Sequence, residues 1–290
     1  MQPIKRSKLR LFLGKNYYTL RKHMQWRLSK EKYADRQEKA IRSHLYFSHK
    51  TPLYRKLKNV DMWLQENKVI NLNIAIKTLN GLVLYPGETL SYWKRIGNPT
   101  AKKGYVEGMQ LSHGKFIANI GGGLCQLSNL IYWMTLHTPL TVTERNRHSY
   151  DVFPDVKRKQ PFGSGATCVY NYVDLQIKNE TEVPMQLCLD VGDTHLIGAW
   201  RGEEPHELTY EVYEKEHWIT HEYWGGYLRN NLIHRKVYNL EGEIIDDEYV
   251  TENHAIMMYQ PLLETGKSRK NEQRHRGVSV KEKLPGVNTC

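Results

Sequence analysis

Cysteine is scarce and scattered in this chain: four in 290 residues (Cys125, Cys168, Cys188 and Cys290), with no CxxC pair. That excludes a cysteine-rich zinc module and a disulfide-stapled scaffold, and it suits a reducing compartment. No run of about 18 apolar residues occurs, which excludes an apolar membrane-spanning helix. The early apolar patch Leu9, Leu11, Phe12 and Leu13 is too short and too interrupted for a secretory h-region, so the cytoplasm is the expected compartment. Zinc-finger, RNP and helix-turn-helix signatures are missing, so no nucleic-acid partner is expected. His217 and His221 stand four apart, but the stretch HWITHEYW is aromatic and strand-like, and neither a metal nor a cofactor is expected.

What is present is an apolar fraction of 40%, enough for a sizeable core, and an uneven charge. The net charge is +11, and residues 1–58 carry 17 Lys and Arg against only Glu31, Asp35 and Glu38. Tyr17, Tyr18, Trp26, Tyr33, Tyr46 and Tyr54 are interleaved with them. A basic, aromatic-studded helical region is expected here, making peripheral contact with an anionic membrane at its inner face. The alternative is a solvated charged helix packed on the main domain.

Further along, apolar spacing predicts a helix from Val60 to Asn80, closed by Asn80-Gly81. A short strand follows at Leu82–Tyr85, and a hairpin from Met109 to Ile117 turns at His113-Gly114. Gln126–His137 reads as a helix ended by Pro139, with Leu127, Leu130, Ile131 and Met134 on its core face. Strands are expected at Leu140–Arg145, Cys168–Ile177 and Met185–Leu189, then in pieces through 196–262. The expected class is α+β, with N-terminal helices and then a largely antiparallel β region around a central helix beginning at Cys125. Four parts are expected: 1–58 basic and helical, 59–200 the main domain, 201–264 a β-rich extension, and 265–290 a flexible tail.

The run Asn119-Ile-Gly121-Gly122-Gly123-Leu-Cys125-Gln126-Leu-Ser128-Asn129 carries the chemistry. Three glycines free the backbone to turn and to aim several N–H groups at one spot. A thiol at a helix start feels the positive end of the dipole, which favours the thiolate. The bland reading is a small core cysteine in a tight loop-to-helix junction. The Lys-Ser/Thr of a phosphate-binding loop does not follow the glycines.

Geometry suggests a partner. A helix from Cys125 to His137 is roughly 18 Å long. A strand from Leu140 back to about Arg147 covers roughly 23 Å, which returns His148 to the level of Cys125. That is the arrangement for thiol activation, with Asp151, Asp155 and Asp174 as candidates to orient the imidazole. Taken alone, His148 is a strand-end histidine satisfied by solvent or backbone.

The segments Pro86-Gly-Glu-Thr-Leu-Ser91, Lys103-Gly-Tyr105, Gly121 through Asn129, Glu144-Arg145 and His148-Ser149 resemble the VanW family in order and spacing, over about residues 70–200. The resemblance implies a bacterial protein of glycopeptide (vancomycin) resistance or cell-wall metabolism, without implying a reaction. Many family members carry an Asp before Ala-Thr, where this chain has Gly165. Two functions follow. In one, an accessory protein binds a peptidoglycan precursor or peptide, with the glycine turn, Arg145 and Arg147 on its anionic part. In the other, a cysteine acyltransferase or amidase uses Cys125 as nucleophile and His148 as base. Gly121, Gly122, Gly123, Gln126, Ser128, Arg145 and Ser149 would then line the oxyanion or ligand site.

Overall fold

The structure is a computed structural model that describes residues 6–54, 61–112, 114–152, 160–170 and 172–261. The expected tail at 265–290, with Cys290, lies outside those residues, as do Asp155 and His113 of the expected hairpin turn. The helices are α1 (Lys8–Leu28), α2 (Met62–Leu79), α3 (Tyr92–Ile96) and α4 (Cys125–Thr135). The early strands are β1 (Lys32–Tyr33), β2 (His44–Pro52), β3 (Leu82–Leu84), β4 (Glu88–Ser91), β5 (Glu107–Ser112) and β6 (Lys115–Ile120). After α4 come β7 (Thr141–Glu144), β8 (Tyr150–Asp151), β9 (Gln176–Lys178), β10 (Met185–Val191) and β11 (His195–Gly202). The long strands β12 (Thr209–His221), β13 (Tyr227–Tyr238) and β14 (Ile244–Met257) come last among the described residues. The protein is therefore α+β, with an N-terminal helix followed by mostly antiparallel sheets. Among the described residues, no helix is long and apolar enough to cross a membrane.

Helix α2 forms where the apolar spacing puts it. Leu64, Leu72, Ala75, Ile76 and Leu79 fall on one buried face. The chain then turns at Gly81 (φ +79°), where a Cβ would lie 2.4 Å from the carbonyl oxygen of Glu38. Only glycine fits that approach, and β3 starts at once behind it.

Among the described residues three four-stranded sheets and one hairpin result, in the orders β1-β4-β9-β7, β2-β11-β10-β3, β12-β13-β14-β8 and β5-β6. Helix α4 packs against β2 and β11 with Leu127, Leu130, Ile131 and Met134 buried. Gly198 of β11 lets it come close, since a Cβ there would meet Met134 Cε at 2.7 Å. Trp200 of the same strand is fully buried and donates its indole N–H to Thr135 Oγ1 at 3.1 Å.

Three local expectations change. Among the described residues of the basic 1–58 region only α1 is helical. Residues 32–33 pair with Glu88-Thr89 as a parallel strand, and 44–52 form an edge strand on β11. The strand expected to reach Arg145 stops at Glu144, where the Arg145 side chain turns into a cluster of carbonyls. The strand expected over Cys168–Ile177 is instead a tight turn bridged from Val169 to Val173, leaving only Gln176–Lys178 in the sheet. Asp174 imposes that turn. Its buried carboxylate takes the N–H groups of Trp93 and Leu175 at 3.0 Å and the Ser91 hydroxyl at 2.5 Å.

Candidate functional site

Each glycine of the run faces a close neighbour. Gly121 (φ +75°) faces the Pro99 ring, and Gly123 (φ +95°) faces the Lys68 stem. A Cβ on Gly122 would sit 2.0 Å from the Gly108 carbonyl oxygen, so the α4 entry turn and β5 touch backbone to backbone. Asn71 ties them together: its side-chain N–H₂ donates to Val106 O at 3.0 Å and Gly122 O at 2.9 Å, and its oxygen accepts from Val106 N at 2.9 Å. The first turn of α4 has no side-chain cap. It closes on itself instead, with Gln126 N–H donating to Gly123 O and Leu127 N–H to Leu124 O, each at 3.0 Å. The Gln126 side chain points the other way, to Thr51 Oγ1 and Pro52 O.

Cys125 opens α4 as the sequence implies, and the strip Gly165-Ala166-Thr167-Cys168 lies along that first turn. The Cys125 thiol donates to the Cys168 carbonyl at 3.7 Å. Ser128, one turn on, donates to Ala166 O at 2.8 Å, and Asn129 Oδ1 accepts from Ala166 N at 2.8 Å. Burial pushes the Cys125 thiol above its ordinary range, only partly opposed by the backbone hydrogen bonds, and drives the buried Cys168 thiol well above. Desolvation therefore sets the direction of the Cys125 shift.

His148 reaches the same strip from the other side. Its Nδ1 lies 2.8 Å from Thr167 Oγ1, and its Nε2 lies 3.4 Å from Asn129 Oδ1. Both contacts fit a neutral ring whose Nδ1 accepts from the threonine hydroxyl while Nε2–H points at the amide oxygen. Burial, with the nearby Arg145 guanidinium adding to it, lowers its pKa to about 4. Among the described residues, the hydrogen-bond partners of His148 are Thr167 and Asn129 rather than the Cys125 thiol. Gly165 sits at the crossing, where a Cβ would meet Asn129 Oδ1 at 2.8 Å and His148 Nε2 at 3.0 Å.

The other candidates are held by structural partners. Arg145 is spent on anchoring: its guanidinium donates to the carbonyls of Gly163 and Gly165, to Thr251 Oγ1 and to Asn253 Oδ1, over the face of Tyr132. Ser149 joins β14 through its carbonyl, which accepts from Ile256 N. Asp151 pairs with Arg229 at 3.3 Å and accepts from the Tyr259 hydroxyl at 2.7 Å. Asp174 belongs to an ion cluster that sequence reading missed. Lys22 of α1 lies 2.7 Å from Glu144 and 3.9 Å from Asp174, and the Gln176 amide donates to Glu144 at 2.8 Å. Nothing local links residues 122 positions apart. Asn129 was visible as the i+4 neighbour of Cys125, whereas the role of Thr167 has no sequence signal beyond the family-like segment around it. Among the described residues, no group of three or more His, Cys, Asp or Glu is placed to hold a metal ion.

Comparison with known proteins adds three findings. Residues 67–201 match the family model described as VanW like protein. The chain is 34% identical over 222 residues to the vancomycin B-type resistance protein VanW of Enterococcus faecalis, covering 77% of this chain and 80% of that one. It is 28% identical over 115 residues to the uncharacterized protein YoaR of Bacillus subtilis, covering 40% and 36% respectively. No solved structure matches.

Proposed function

This chain belongs to the VanW family, and from that premise we propose that it is an accessory protein of glycopeptide resistance or cell-wall metabolism. Its role is to bind a peptidoglycan precursor or its peptide without chemistry on it. One observation carries the non-catalytic part: Cys125 donates its proton to the Cys168 carbonyl while His148 is engaged by Thr167 and Asn129. A thiol enzyme needs a thiolate beside a base that can take and return its proton. Here burial favours the neutral form of both groups. The strip 165–168 then acts as a latch between α4 and the His148 loop. The resistance part rests on the similarity to a protein named for vancomycin resistance, across most of both chains.

For the ligand, Arg147 is the exposed cation on the loop between Arg145 and His148. It suits an anionic group such as a precursor phosphate or a terminal carboxylate. The cytoplasmic side of the membrane, where such precursors are assembled, is the proposed location.

Calorimetric titration of the full-length protein with a nucleotide-linked muramyl pentapeptide tests the reading. Saturable binding that survives Cys125→Ala and weakens at least tenfold in Arg147→Glu is expected. Absence of saturable binding overturns the ligand assignment. Turnover of the peptide by wild type, abolished in a folded Cys125→Ala variant, overturns the non-catalytic one and installs the thiol enzyme.

A further inference from the structure

We propose that the outward face of α1 is a docking surface for an anionic lipid bilayer. The inference is independent of the ligand reading above. One side of α1 is held by the domain: Lys22 in the Glu144–Asp174 ion cluster, Trp26 buried, and His23 Nε2 3.1 Å from the Tyr170 hydroxyl. The opposite side is apolar and bare. Leu9, Leu13, Tyr17, Leu20, Met24 and Leu28 are each between 49% and 75% exposed. At 100° per residue these six fall within an arc of about 100°, centred nearly opposite Lys22. A soluble helix puts its apolar stripe inward. On α1 the exposed apolar side chains extend beyond this arc to Leu11, Phe12 and Tyr18, but the six above form the continuous stripe, and the helix leads into strands fixed to the body of the protein, so the stripe is presented rather than loose.

Charge decides the occupant. Arg10 and Arg21 border the stripe on one margin and Arg27 on the other, and α1 contains no Asp or Glu. Residues 1–58 hold 17 cations against three acids, while the rest of the chain is slightly acidic. A second copy laid stripe to stripe would bring like charges together. A bilayer surface accepts the apolar side chains at the acyl boundary and lets the flanking arginines extend to lipid phosphates. Anionic lipid adds attraction that salt screens.

Co-sedimentation of the full-length protein with vesicles tests this, using neutral phosphatidylcholine vesicles and vesicles with phosphatidylglycerol as about a third of the lipid. Two variants are read beside wild type: Leu13→Asp/Leu20→Asp/Met24→Asp, and Arg10→Gln/Arg21→Gln. Wild type is expected to sediment with the anionic vesicles and to be released by salt. The Asp variant should lose at least about tenfold in partition, because three apolar anchors become anions. The Arg variant, which leaves every apolar contact intact, should lose a comparable amount on anionic vesicles alone. Equal sedimentation of wild type and both variants overturns the proposal. So does a dimer in sedimentation velocity that the Asp variant dissociates while wild type ignores vesicles, since the stripe would then be covered by a second copy.

Discussion

Replacing Gly122 with alanine tests the packing account of the glycine run most sharply. The added methyl would sit 2.0 Å from the oxygen and 2.2 Å from the carbonyl carbon of Gly108. Real Cβ atoms do not approach that closely, so β5 or the α4 entry turn must move. Movement pulls on Asn71, which is fully buried and bonded to both Val106 and Gly122. Overpacking costs about 1–3 kcal/mol, and a buried amide left short of a partner costs about as much again. Their sum is about 2–6 kcal/mol. Urea unfolding followed by circular dichroism should show the midpoint falling accordingly, with the slope unchanged. A change below about 1 kcal/mol would refute the reasoning. The glycines would then be there to let a ligand approach, and Gly122→Ala should instead damage binding in a stable protein.

Three other outcomes follow from the site. Lys22→Ala strips the cation from Glu144 and the fully buried Asp174, so it should cost about 3 kcal/mol or more and resist salt, as measured by thermal or urea unfolding. His148 has a folded-state pKa of about 4, below its ordinary 6.5, so its contribution is whole above pH 6.5 and lost as the pH falls toward 4. Stability measured across that window should drop by up to about 3 kcal/mol in wild type and by clearly less in His148→Gln. Gly165→Asp would place a carboxylate against His148 Nε2 and crowd Asn129; NMR titration of the ring should show its pKa rising by a unit or more.

Most long elements could be read from their own residues. The period of α2, the Gly81 stop, the β5–β6 hairpin and the start of α4 at Cys125 are local signals, and the structure follows them. β1 and β2 could not be read that way. Their stretches are crowded with Lys, Arg and His, and they become strands because β4 and β11 offer partners far along the chain. The length match between α4 and the returning strand predicts His148 level with Cys125, but the strand stops at Glu144 and His148 bonds to the strip that crosses the first turn of α4. The match could not reveal that strip. Thr167 meets the imidazole from the strip, which no periodicity encodes, and Asn129 meets it from α4. The dipole argument for a thiolate likewise omitted desolvation, which depends on what covers the sulfur.

Alkylation by iodoacetamide as a function of pH tests most directly the assignment of Cys125 as a protonated thiol latched to the strip. Peptide mapping follows it beside Cys168 and Cys188 in the native protein. Slow labelling of Cys125 is expected at neutral pH, rising only above the ordinary thiol range, and no slower in His148→Ala than in wild type. Rapid labelling of Cys125 well below pH 8, lost in His148→Ala, would contradict it.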